Sequence, residues 1–335
     1  MRLREGLGDV AMTIKNSIIM ICYNQEGYIK EALDSVLCEK VKPYEIIIGD
    51  DFSTDDTRKI LTEYKALYPD IIKLVLNEKN LGIFANLNNL TPMVTGDMVH
   101  FLSGDDWYKP GFLENSNKKI AELNLDPNCT RFILLPNVVL HYPDGSEQVL
   151  KNDPKLIKKY SSTGLAIREA IHWRLVGLSR ALFNNWPPFR EDSEKIGPWS
   201  DKIQYVMLSQ HIDKLIIMDC DGAVYRVGVG IASRTKQDEL ELSYYNALEI
   251  IHGYYQNKQL IINQLDSDYL LFVIKCGEAK INLSLTGLIS SIFYGFKLIQ
   301  HDADEKTAVK SQLYIVFRKL VSKSLIGIII RRLRK

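Results

Sequence analysis

The sequence predicts an α/β fold built on a mostly parallel sheet with helices on both faces, followed by a helical C-terminal extension. Short apolar runs typical of buried strands alternate with helix-period stripes through the first third of the chain. Such alternation implies parallel strands joined by crossover helices. From about residue 236 onward, the apolar residues repeat instead with a helical period.

Four apolar runs predict the strands of the first third, over residues 17–22, 45–49, 71–76 and 98–102. The stripes between and after them predict helices over 27–38, 56–67, 84–92 and 110–123. Thr54 and Asp55 can cap the second helix, and Pro110 suits the first turn of the fourth. The elements therefore follow a βαβαβαβα order.

Beyond about residue 125 the pattern changes. Apolar runs predict strand over 132–135 and 138–140, and Pro143-Asp144-Gly145 predicts a turn into 147–151, which together make a hairpin. A helix is predicted over 163–186, and a strand over 214–219 precedes Tyr225-Arg226. Helix-period segments then follow over 238–257, 260–276 and 283–299.

Polar clusters follow three of the predicted strands directly. Tyr23-Asn24-Gln25-Glu26 follows the first strand, Asp50-Asp51 follows the second, and Asp105-Asp106 follows the fourth. In an open parallel sheet, ligands bind beyond the carboxyl ends of the strands. We therefore expect these three clusters to line one binding site.

The adjacent carboxylates of Asp105 and Asp106 are a candidate cation site. Mg²⁺ and Mn²⁺ prefer oxygen ligands and commonly bind through one or two carboxylates together with substrate phosphates. The alternative is a plain surface turn, because Gly-Asp is ordinary turn chemistry.

Four successive stretches resemble one known family. They are SIIMICYNQEGYIKEALDSVL, EIIIGDDFSTDDT, NEKNLGIFANLN and GDMVHFLSGDDWYKPGFLE, and they cover roughly residues 15–115. In order, spacing and residue type they resemble the nucleotide-sugar-binding half of the inverting family-2 glycosyltransferases of the bacterial surface-polysaccharide type. The resemblance implies the GT-A fold, in which the predicted sheet is Rossmann-like.

The resemblance also implies a role for the first two clusters. Tyr23 would pack against the nucleobase, with Asn24 and Glu26 beside it in the donor site. Asp50 or Asp51 would hydrogen-bond the base or the ribose. As alternatives, Tyr23 could be a core aromatic at a strand end, and one of the two aspartates could cap the next helix.

For the third cluster, the resemblance implies that Asp105 and Asp106 form the metal-binding DxD element and that Asp105 contacts the donor. The cofactor would be Mn²⁺ or Mg²⁺. Many members of the family have Asp-x-Asp-Asp here, whereas this chain has Ser103 at the first position. Metal ligation would therefore depend more heavily on the remaining two carboxylates.

An acidic loop opening a helix, then a strand, then Tyr225-Arg226, resembles the second half of the family. There the acid at the helix start is the catalytic base, which points to Asp201 in Trp199-Ser200-Asp201. Glu191-Asp192 is the rival pair, and a first-turn acid favoured by the helix dipole is the structural alternative for Asp201. Arg226 would hold the diphosphate or form a structural salt bridge.

These resemblances predict an inverting glycosyltransferase that moves a sugar from a nucleoside diphosphate sugar, UDP-sugar being favoured, to a hydroxyl of a saccharide or lipid-linked saccharide. A sugar nucleotidyltransferase is one alternative, but such enzymes usually carry a Gly-rich phosphate loop where this chain has Tyr23-Asn24-Gln25-Glu26. The other is a non-catalytic nucleotide-sugar-binding or scaffold subunit at the membrane. The predicted division is a leader over 1–15, a donor half over 16–125, an acceptor half over 126–235 and a helical region over 236–335.

The segment 306–335 combines basic and apolar residues without a single acid. Its nine basic residues are Lys306, Lys310, Arg318, Lys319, Lys323, Arg331, Arg332, Arg334 and Lys335. A basic amphipathic helix of this kind can lie on an anionic membrane surface. Packing of the helix on the catalytic domain or on a partner chain is the alternative.

Composition and charge narrow the classes further. The chain has 335 residues, 46% of them hydrophobic and 25% charged, with a net charge of +1, which argues against a protein that coats nucleic acid. Its five cysteines show neither a disulfide nor a zinc pattern. No signal-peptide pattern and no apolar run near the ~20 residues of a spanning helix are present. We therefore expect a cytoplasmic protein, peripheral on the inner face of the cell membrane if the tail binds lipid, and compatible with an oligomer.

Overall fold

Nine strands form one mixed sheet in the computed structural model of the chain, which describes residues 14–168, 177–282 and 285–323. The chain forms two units that alternate along the sequence. The first unit, which contains the whole sheet, comprises residues 1–154, 172–186 and 211–228. The second unit is helical and comprises residues 155–171, 187–210 and 229–335.

The strands in chain order are β1 (Asn16–Cys22), β2 (Glu45–Asp50), β3 (Ile72–Leu76), β4 (Met98–Ser103), β5 (Trp107–Tyr108), β6 (Phe132–His141), β7 (Glu147–Leu150), β8 (Gly177–Ser179) and β9 (Lys214–Arg226). Their order across the sheet is β3-β2-β1-β4-β8-β6-β9-β5, and β7 pairs with β6. The run from β3 to β4 is parallel, as is the β6–β9 pair. The short strands β5, β7 and β8 pair antiparallel.

The helices in chain order are α1 (Ile29–Leu37), α2 (Thr57–Leu67), α3 (Ile83–Leu90), α4 (Phe112–Glu122), α5 (Pro154–Lys159), α6 (Ser162–Arg168), α7 (Arg180–Phe183), α8 (Ser193–Ile196), α9 (Ser200–Ser209), α10 (Ile231–Arg234), α11 (Gln237–Gln256), α12 (Gln264–Asn282), α13 (Leu285–His301) and α14 (Lys306–Lys323). Helices α1 to α4 confirm the predicted alternation with strands. The helical C-terminal extension is confirmed over the described part of the chain.

Helices cover both faces of the parallel strands, as predicted. Successive strand residues point to opposite faces. Ile48 of β2 packs in one apolar cluster with Leu33 of α1 and Leu61 of α2. Gly49 faces α3 on the other side, where a Cβ atom would lie 2.5 Å from Oδ1 of Asn86. The layered α/β prediction is therefore confirmed, and Gly49 is fixed by the close approach of α3.

The helix predicted over 163–186 is wrong as a single element. Helix α6 begins it, residues 169–176 lie outside the described part of the chain, and β8 and α7 follow. Leu178 of β8 is fully buried and pairs with both β4 and β6. Ser179 then caps α7, because its hydroxyl accepts a hydrogen bond from the backbone N–H of Leu182. A short buried strand and a buried helix segment share the same apolar signal, which explains the error.

Two longer strands replace three predicted strand segments. The strands predicted over 132–135 and 138–140 are one strand, β6, and the predicted hairpin is confirmed by its pairing with β7. The strand predicted over 214–219 continues through to the end of β9. Within β9, Gly222 allows close packing, since a Cβ atom there would lie 2.6 Å from Cγ of Pro136.

The predicted leader over 1–15 is described only at its last two residues. Ile14 is buried in an apolar cluster with Met98 and Phe132. The backbone N–H of Lys15 donates to Oδ2 of Asp97 at 2.9 Å. These two residues therefore pack on the sheet, while residues 1–13 lie outside the described part of the chain.

The second unit has its own apolar cluster where α12, α13 and α14 meet, formed by Phe272, Cys276, Ala279, Leu298, Val309 and Val316. The second unit also contains a buried cluster of charged residues. The guanidinium of Arg168 lies between the rings of Tyr160 and Tyr269, at 4.3 and 4.4 Å, and pairs with Asp266 and Glu305. None of the described helices is long and apolar enough to cross a bilayer.

Candidate functional site

The carboxyl ends of β1, β2 and β4 lie side by side at one edge of the sheet. Cys22 is in register with Asp50, and Ile21 is in register with Ser103. The three polar clusters predicted from the sequence begin at or just after these residues, so the loops that carry them leave the sheet at the same edge. We call this place, where β1, β2 and β4 end, the carboxyl edge.

Side chains of the first loop bind the second loop. Oδ1 of Asn24 accepts a hydrogen bond from the backbone N–H of Thr54 at 2.8 Å, and the backbone N–H of Asn24 donates to Oγ of Ser53 at 2.9 Å. Oε2 of Glu26 accepts from the backbone N–H of Asp56 at 2.9 Å. Asn24 has a φ of 51°, a conformation that asparagine tolerates better than most residues. Asn24 and Glu26 therefore hold the two loops together.

Tyr23 and Asp50 lie in opposite environments at this edge. Tyr23 is 43% exposed, so the alternative of a core aromatic is wrong. Asp50 is fully buried and pairs with Nε of Arg58 at 3.2 Å. Its Oδ2 accepts a hydrogen bond from the backbone N–H of Ser53 at 3.1 Å. Asp50 thus fixes the start of the loop that follows β2.

Asp51 holds the loop that leads into α3. Its carboxylate, only 5% exposed, accepts hydrogen bonds from the backbone N–H groups of Leu81 and Gly82 at 2.8 Å and from Nδ2 of Asn77 at 3.0 Å. Gly82 has a φ of 86°, a conformation in which other residues are strained. Neither Asp50 nor Asp51 caps α2. Oδ1 of Asp55 instead accepts from the backbone N–H of Thr57 at 3.0 Å.

We call residues 103–106 the acid turn. Its backbone is fixed by hydrogen bonds from the N–H of Gly104 to the carbonyl of Ile21 at 2.9 Å and from the N–H of Asp106 to the carbonyl of Ser103 at 3.1 Å. Asp105 and Asp106 are 8% and 4% exposed. Two largely buried carboxylates in a fixed turn differ from the plain surface turn that was the alternative.

Arg226 supports the acid turn from β9. Its backbone N–H donates to Oδ1 of Asp106 at 2.9 Å, and its Nε donates to the carbonyl of Asp105 at 3.0 Å. Its Nη2 pairs with Oε2 of Glu31 at 2.6 Å. The guanidinium also lies 4.4 Å from the ring of Trp107. These contacts agree with the alternative that Arg226 forms a structural salt bridge.

The acids of the carboxyl edge raise the pKa of one buried thiol, that of Cys22. Burial raises the pKa of Cys22 well above its usual value, and the charges of Asp50, Asp105, Asp55 and Asp51 raise it further, in that order. Because charge effects of this kind weaken with distance, the acid turn and the loop after β2 must both approach Cys22. Acids from both loops are therefore grouped near the end of β1.

Asp105 and Asp106 of the acid turn can supply some of the oxygen ligands of a divalent cation. Mg²⁺ and Mn²⁺ take oxygen ligands, and Asp105 and Asp106 supply them beside the other acids near Cys22. Among the described residues, no group of three or more His, Cys, Asp or Glu residues could hold a metal ion alone. A cation here would therefore take its remaining ligands from phosphate or water.

Asp201 belongs to the second unit and lies half-buried in the first turn of α9. The start of this helix is anchored within that unit. The backbone N–H of Trp199 donates to Oγ of Ser243 at 3.1 Å, and its ring packs edge-on against Tyr244 at 5.1 Å. Nζ of the buried Lys202 donates to the carbonyl of Ile167 at 3.0 Å. Asp201 is therefore held on a fixed backbone.

The rival acids stand at α8. Both carboxylate oxygens of Asp192 accept from Arg190, at 2.7 Å from Nε and 2.8 Å from Nη2. This bidentate ion pair is exposed, and Asp192 is the N-cap residue of α8. Glu191 is exposed. Both oxygens of Asp192 are thus engaged by Arg190.

Sequence reasoning gave no site role to three residues that shape the carboxyl edge. Asp55 joins the first two loops, Asn77 binds Asp51, and Glu31 pairs with Arg226 across 195 positions of the chain. Asp55 stands in the same acidic stretch as Asp51 and could have been proposed from it. The pairing of Glu31 leaves no local signal, because it depends on how α1 packs beside β9.

Comparison with known proteins finds one family model that matches part of the chain. Residues 17–170 match Glycosyl transferase family 2. An uncharacterized protein of Mycobacterium tuberculosis is 37% identical over 133 residues, 39% of this chain and 37% of its own length. EpsE of Bacillus subtilis, named as a glycosyltransferase, is 41% identical over 109 residues, 32% of this chain and 38% of EpsE. TuaG of the same organism, named for teichuronic acid biosynthesis, is 35% identical over 113 residues, 34% of this chain and 43% of TuaG.

The matched part of this chain thus spans well under half the length of these relatives. Among solved structures, Staphylococcus aureus TarS 1–349 in complex with UDP-GlcNAc is similar with a TM-score of 0.60 and 18% identity, over 91% of this chain and 88% of TarS 1–349. GalNAc-T7, solved with UDP, GalNAc and Mn²⁺, is similar with a TM-score of 0.55 and 14% identity, over 88% of this chain and 57% of that one. At these identities the likeness supports the GT-A-like fold alone.

Proposed function

We propose that this chain, whose residues 17–170 match Glycosyl transferase family 2, is an inverting glycosyltransferase that uses a nucleoside diphosphate sugar. The observation that carries the proposal is the register that brings the acid-bearing loops after β2 and β4 together beside the end of β1. A UDP-sugar is the donor we favour, because the fold resembles that of TarS, whose structure contains UDP-GlcNAc. The acceptor would be a hydroxyl of a saccharide or lipid-linked saccharide, as the similarity to EpsE and TuaG suggests.

Tyr23 is the residue we assign to the nucleobase. It is exposed at the end of β1, and an aromatic ring with a free face can stack on a base. Asn24 and Glu26 would contribute by fixing the loop that presents Tyr23. Asp51 is the more exposed of the two neighbouring aspartates, and a carboxylate has about four acceptor positions, so it can accept one further N–H or O–H.

Asp105 and Asp106 are the residues that would hold Mn²⁺ or Mg²⁺. When bound, the cation would act as a Lewis acid and offset the charge that develops on the departing nucleoside diphosphate. Asp106 would present its carboxylate in the orientation set by the backbone of Arg226. Arg226 would act on the diphosphate through the acid turn that it supports.

Asp201 is the residue we assign as the general base. It would accept the proton of the acceptor hydroxyl while the oxygen forms a bond to the anomeric carbon. The bond from that carbon to the phosphate oxygen breaks, and its electron pair leaves with the nucleoside diphosphate. Attack opposite the leaving group inverts the configuration. We propose that this reaction takes place in the cytoplasm, where the sequence predicts the protein to work.

Thermal-shift measurements with UDP, GDP, ADP and CDP, each with and without Mn²⁺, test the donor assignment. We expect UDP with Mn²⁺ to raise the melting temperature most, because a ligand that binds only the folded state stabilises it. Asp105→Ala should lose the Mn²⁺-dependent part of the shift. The matched control is Asp70→Ala, an exposed aspartate away from the carboxyl edge, which should keep the full shift.

A second assay separates an enzyme from a binding subunit. Given a sugar nucleotide with the base selected above and a saccharide whose hydroxyl takes the sugar, the wild-type chain should catalyse release of the nucleoside diphosphate. A chain that binds UDP but never releases it from a sugar nucleotide would be the non-catalytic subunit considered above. A chain whose melting temperature responds to none of the four diphosphates would refute the proposed donor class.

A further inference from the structure

Helix α13 presents an apolar stripe to solvent. Ile289, Ile292, Phe293 and Phe296 are 59%, 37%, 58% and 64% exposed. They follow the spacing i, i+3, i+4 and i+7, which places them on one face of the helix. A surface helix normally carries polar residues on this face, so the stripe needs an explanation.

The exposed stripe is not a consequence of loose packing. The opposite face of α13 is buried, with Ser291 and Leu298 at 0% exposure. Gly295 lies so close to α14 that a Cβ atom there would be 2.8 Å from Cγ1 of Val309. The inner face is thus fixed by α12 and α14, and the outer face is left with its apolar side chains in water.

Helix α14 carries a second exposed face of mixed character. Tyr314 and Phe317 are 64% and 56% exposed, with Lys310 and Arg318 exposed on the same face at the spacing i, i+4, i+7 and i+8. The opposite face holds Val316, which is fully buried in the cluster with α12 and α13. One face of α14 therefore packs on α12 and α13, and the other face is exposed.

Both helices are basic. Neither α13 nor α14 contains an Asp or Glu. Nζ of Lys297 lies 5.6 Å from the ring centroid of the exposed Phe293, so a cation stands beside the apolar stripe. The sequence after α14, which lies outside the described residues, adds Arg331, Arg332, Arg334 and Lys335. Apolar and aromatic side chains beside cations are typical of helices that lie on anionic lipid.

We propose that the outer faces of α13 and α14, defined by Ile289, Ile292, Phe293, Phe296, Lys310, Tyr314, Phe317 and Arg318, form a docking surface for an anionic phospholipid membrane. We call these residues the docking surface. Charge decides between this occupant and a second copy of the chain. A symmetric contact would place the cations of one copy near those of the other, and like charges across an interface disfavour binding. An anionic lipid surface complements them.

This inference does not depend on the proposed enzyme activity, because its test uses no nucleotide. Flotation of the full chain with vesicles of phosphatidylcholine, with and without phosphatidylglycerol, measures binding directly. We expect flotation with the anionic vesicles at low salt and less at high salt, since screening weakens exposed charges. The double variant Phe293→Ser with Phe296→Ser should bind roughly tenfold more weakly or worse.

A second variant tests the cations of the docking surface, and a third serves as its control. Lys310→Gln with Arg318→Gln should lower binding to anionic vesicles roughly tenfold and remove much of its salt dependence. The matched control is Leu242→Ser with Ile261→Ser, which removes two exposed apolar residues elsewhere in the second unit, 44% and 81% exposed. The control should float like the wild type, and circular dichroism should show that all variants stay folded.

Three results would overturn the proposal. The first is a wild-type chain that stays unbound with anionic vesicles at low salt. The second is equal flotation of the wild type and both docking-surface variants. If a chain truncated after Lys323 then fails to bind, residues beyond α14 bind the membrane instead of the docking surface. The third is sedimentation in which Phe293→Ser with Phe296→Ser turns a dimer into a monomer while no form binds vesicles, because the surface would then contact a second copy.

Discussion

Oδ1 of Asp106 accepts a hydrogen bond from the backbone N–H of Arg226 at 2.9 Å, across 120 positions of the chain. This contact joins the acid turn to the end of β9. Asp106 is 4% exposed, so the bond is shielded from water. Asp106 therefore has a structural task in addition to the proposed cation ligation, and the two tasks can be separated by substitution.

Asp106→Asn should separate them. The asparagine keeps an oxygen for the N–H of Arg226 but lacks the charge that a cation prefers, so stability should hold while Mn²⁺-dependent binding of UDP falls. Asp106→Ala should also lose about 1–3 kcal/mol of unfolding free energy, because it leaves a buried N–H without its acceptor. Urea unfolding and thermal shift with UDP and Mn²⁺ measure the two effects. Equal loss of stability in both variants would contradict this separation.

Arg226→Ala should destabilise the chain by about 2–4 kcal/mol, because it removes hydrogen bonds to Glu31 and to the carbonyl of Asp105 and the contact with Trp107. The matched control is Arg131→Ala, whose exposed pair with Asp213 should contribute about 0–1 kcal/mol. Urea unfolding of both variants gives the comparison. Similar losses for the two arginines would mean that Arg226 is no more than a surface pair.

His100 should make the protein sensitive to acid. Its ring is fully buried beside Asn16, with Nε2 3.1 Å from Oδ1, and burial lowers the pKa of His100 from 6.5 to about 3. Between these two pH values, the imidazole of His100 is protonated in the unfolded state and neutral in the folded state. The free energy of unfolding therefore falls with decreasing pH, by about 1.4 kcal/mol per pH unit from this group.

His100→Gln tests this contribution, because the amide can still donate to Asn16 but does not titrate. Below pH 6.5 the variant should lose stability less steeply than the wild type in urea unfolding. Parallel slopes for the wild type and His100→Gln would show that His100 titrates normally in the folded state.

The parallel strands and the acid clusters were predictable because each is encoded locally. β1, β2 and β4 are apolar runs that end at polar residues, and parallel pairing then brings Asp51 and Asp105 to one edge. The support of that edge was not predictable. The contacts of Arg226 with Glu31 and Asp106 join positions far apart in the chain, and no periodicity encodes them.

Burial explains the remaining differences. Leu178 in β8 looked like part of a helix because its neighbours are apolar, yet its position between β4 and β6 is decided by tertiary packing. Val316 and Phe317 look equally apolar in the sequence, but the first is buried and the second is 56% exposed. Only the packing of α14 on α12 and α13 separates the residues that form the core from those of the docking surface.

Asp201→Asn should abolish sugar transfer while donor binding stays nearly unchanged. An amide cannot take the proton of the acceptor hydroxyl, and loss of a general base commonly lowers the rate about 10²–10⁴-fold. UDP release from the donor chosen by thermal shift measures the rate, and the UDP-induced shift measures binding. Asp192→Asn is the matched variant, because Asp192 is already paired with Arg190 through both oxygens.

The contrast between the two variants separates Asp201 from Asp192 as the base. If Asp201 is the base, Asp192→Asn should keep near-full turnover, since the exposed pair with Arg190 contributes little to the helix that carries Asp201. The reverse outcome, with turnover lost in Asp192→Asn and kept in Asp201→Asn, would move the base to the loop before α8. Asp201 would then be a first-turn acid that stabilises α9 through the helix dipole, by about 0.3–1 kcal/mol.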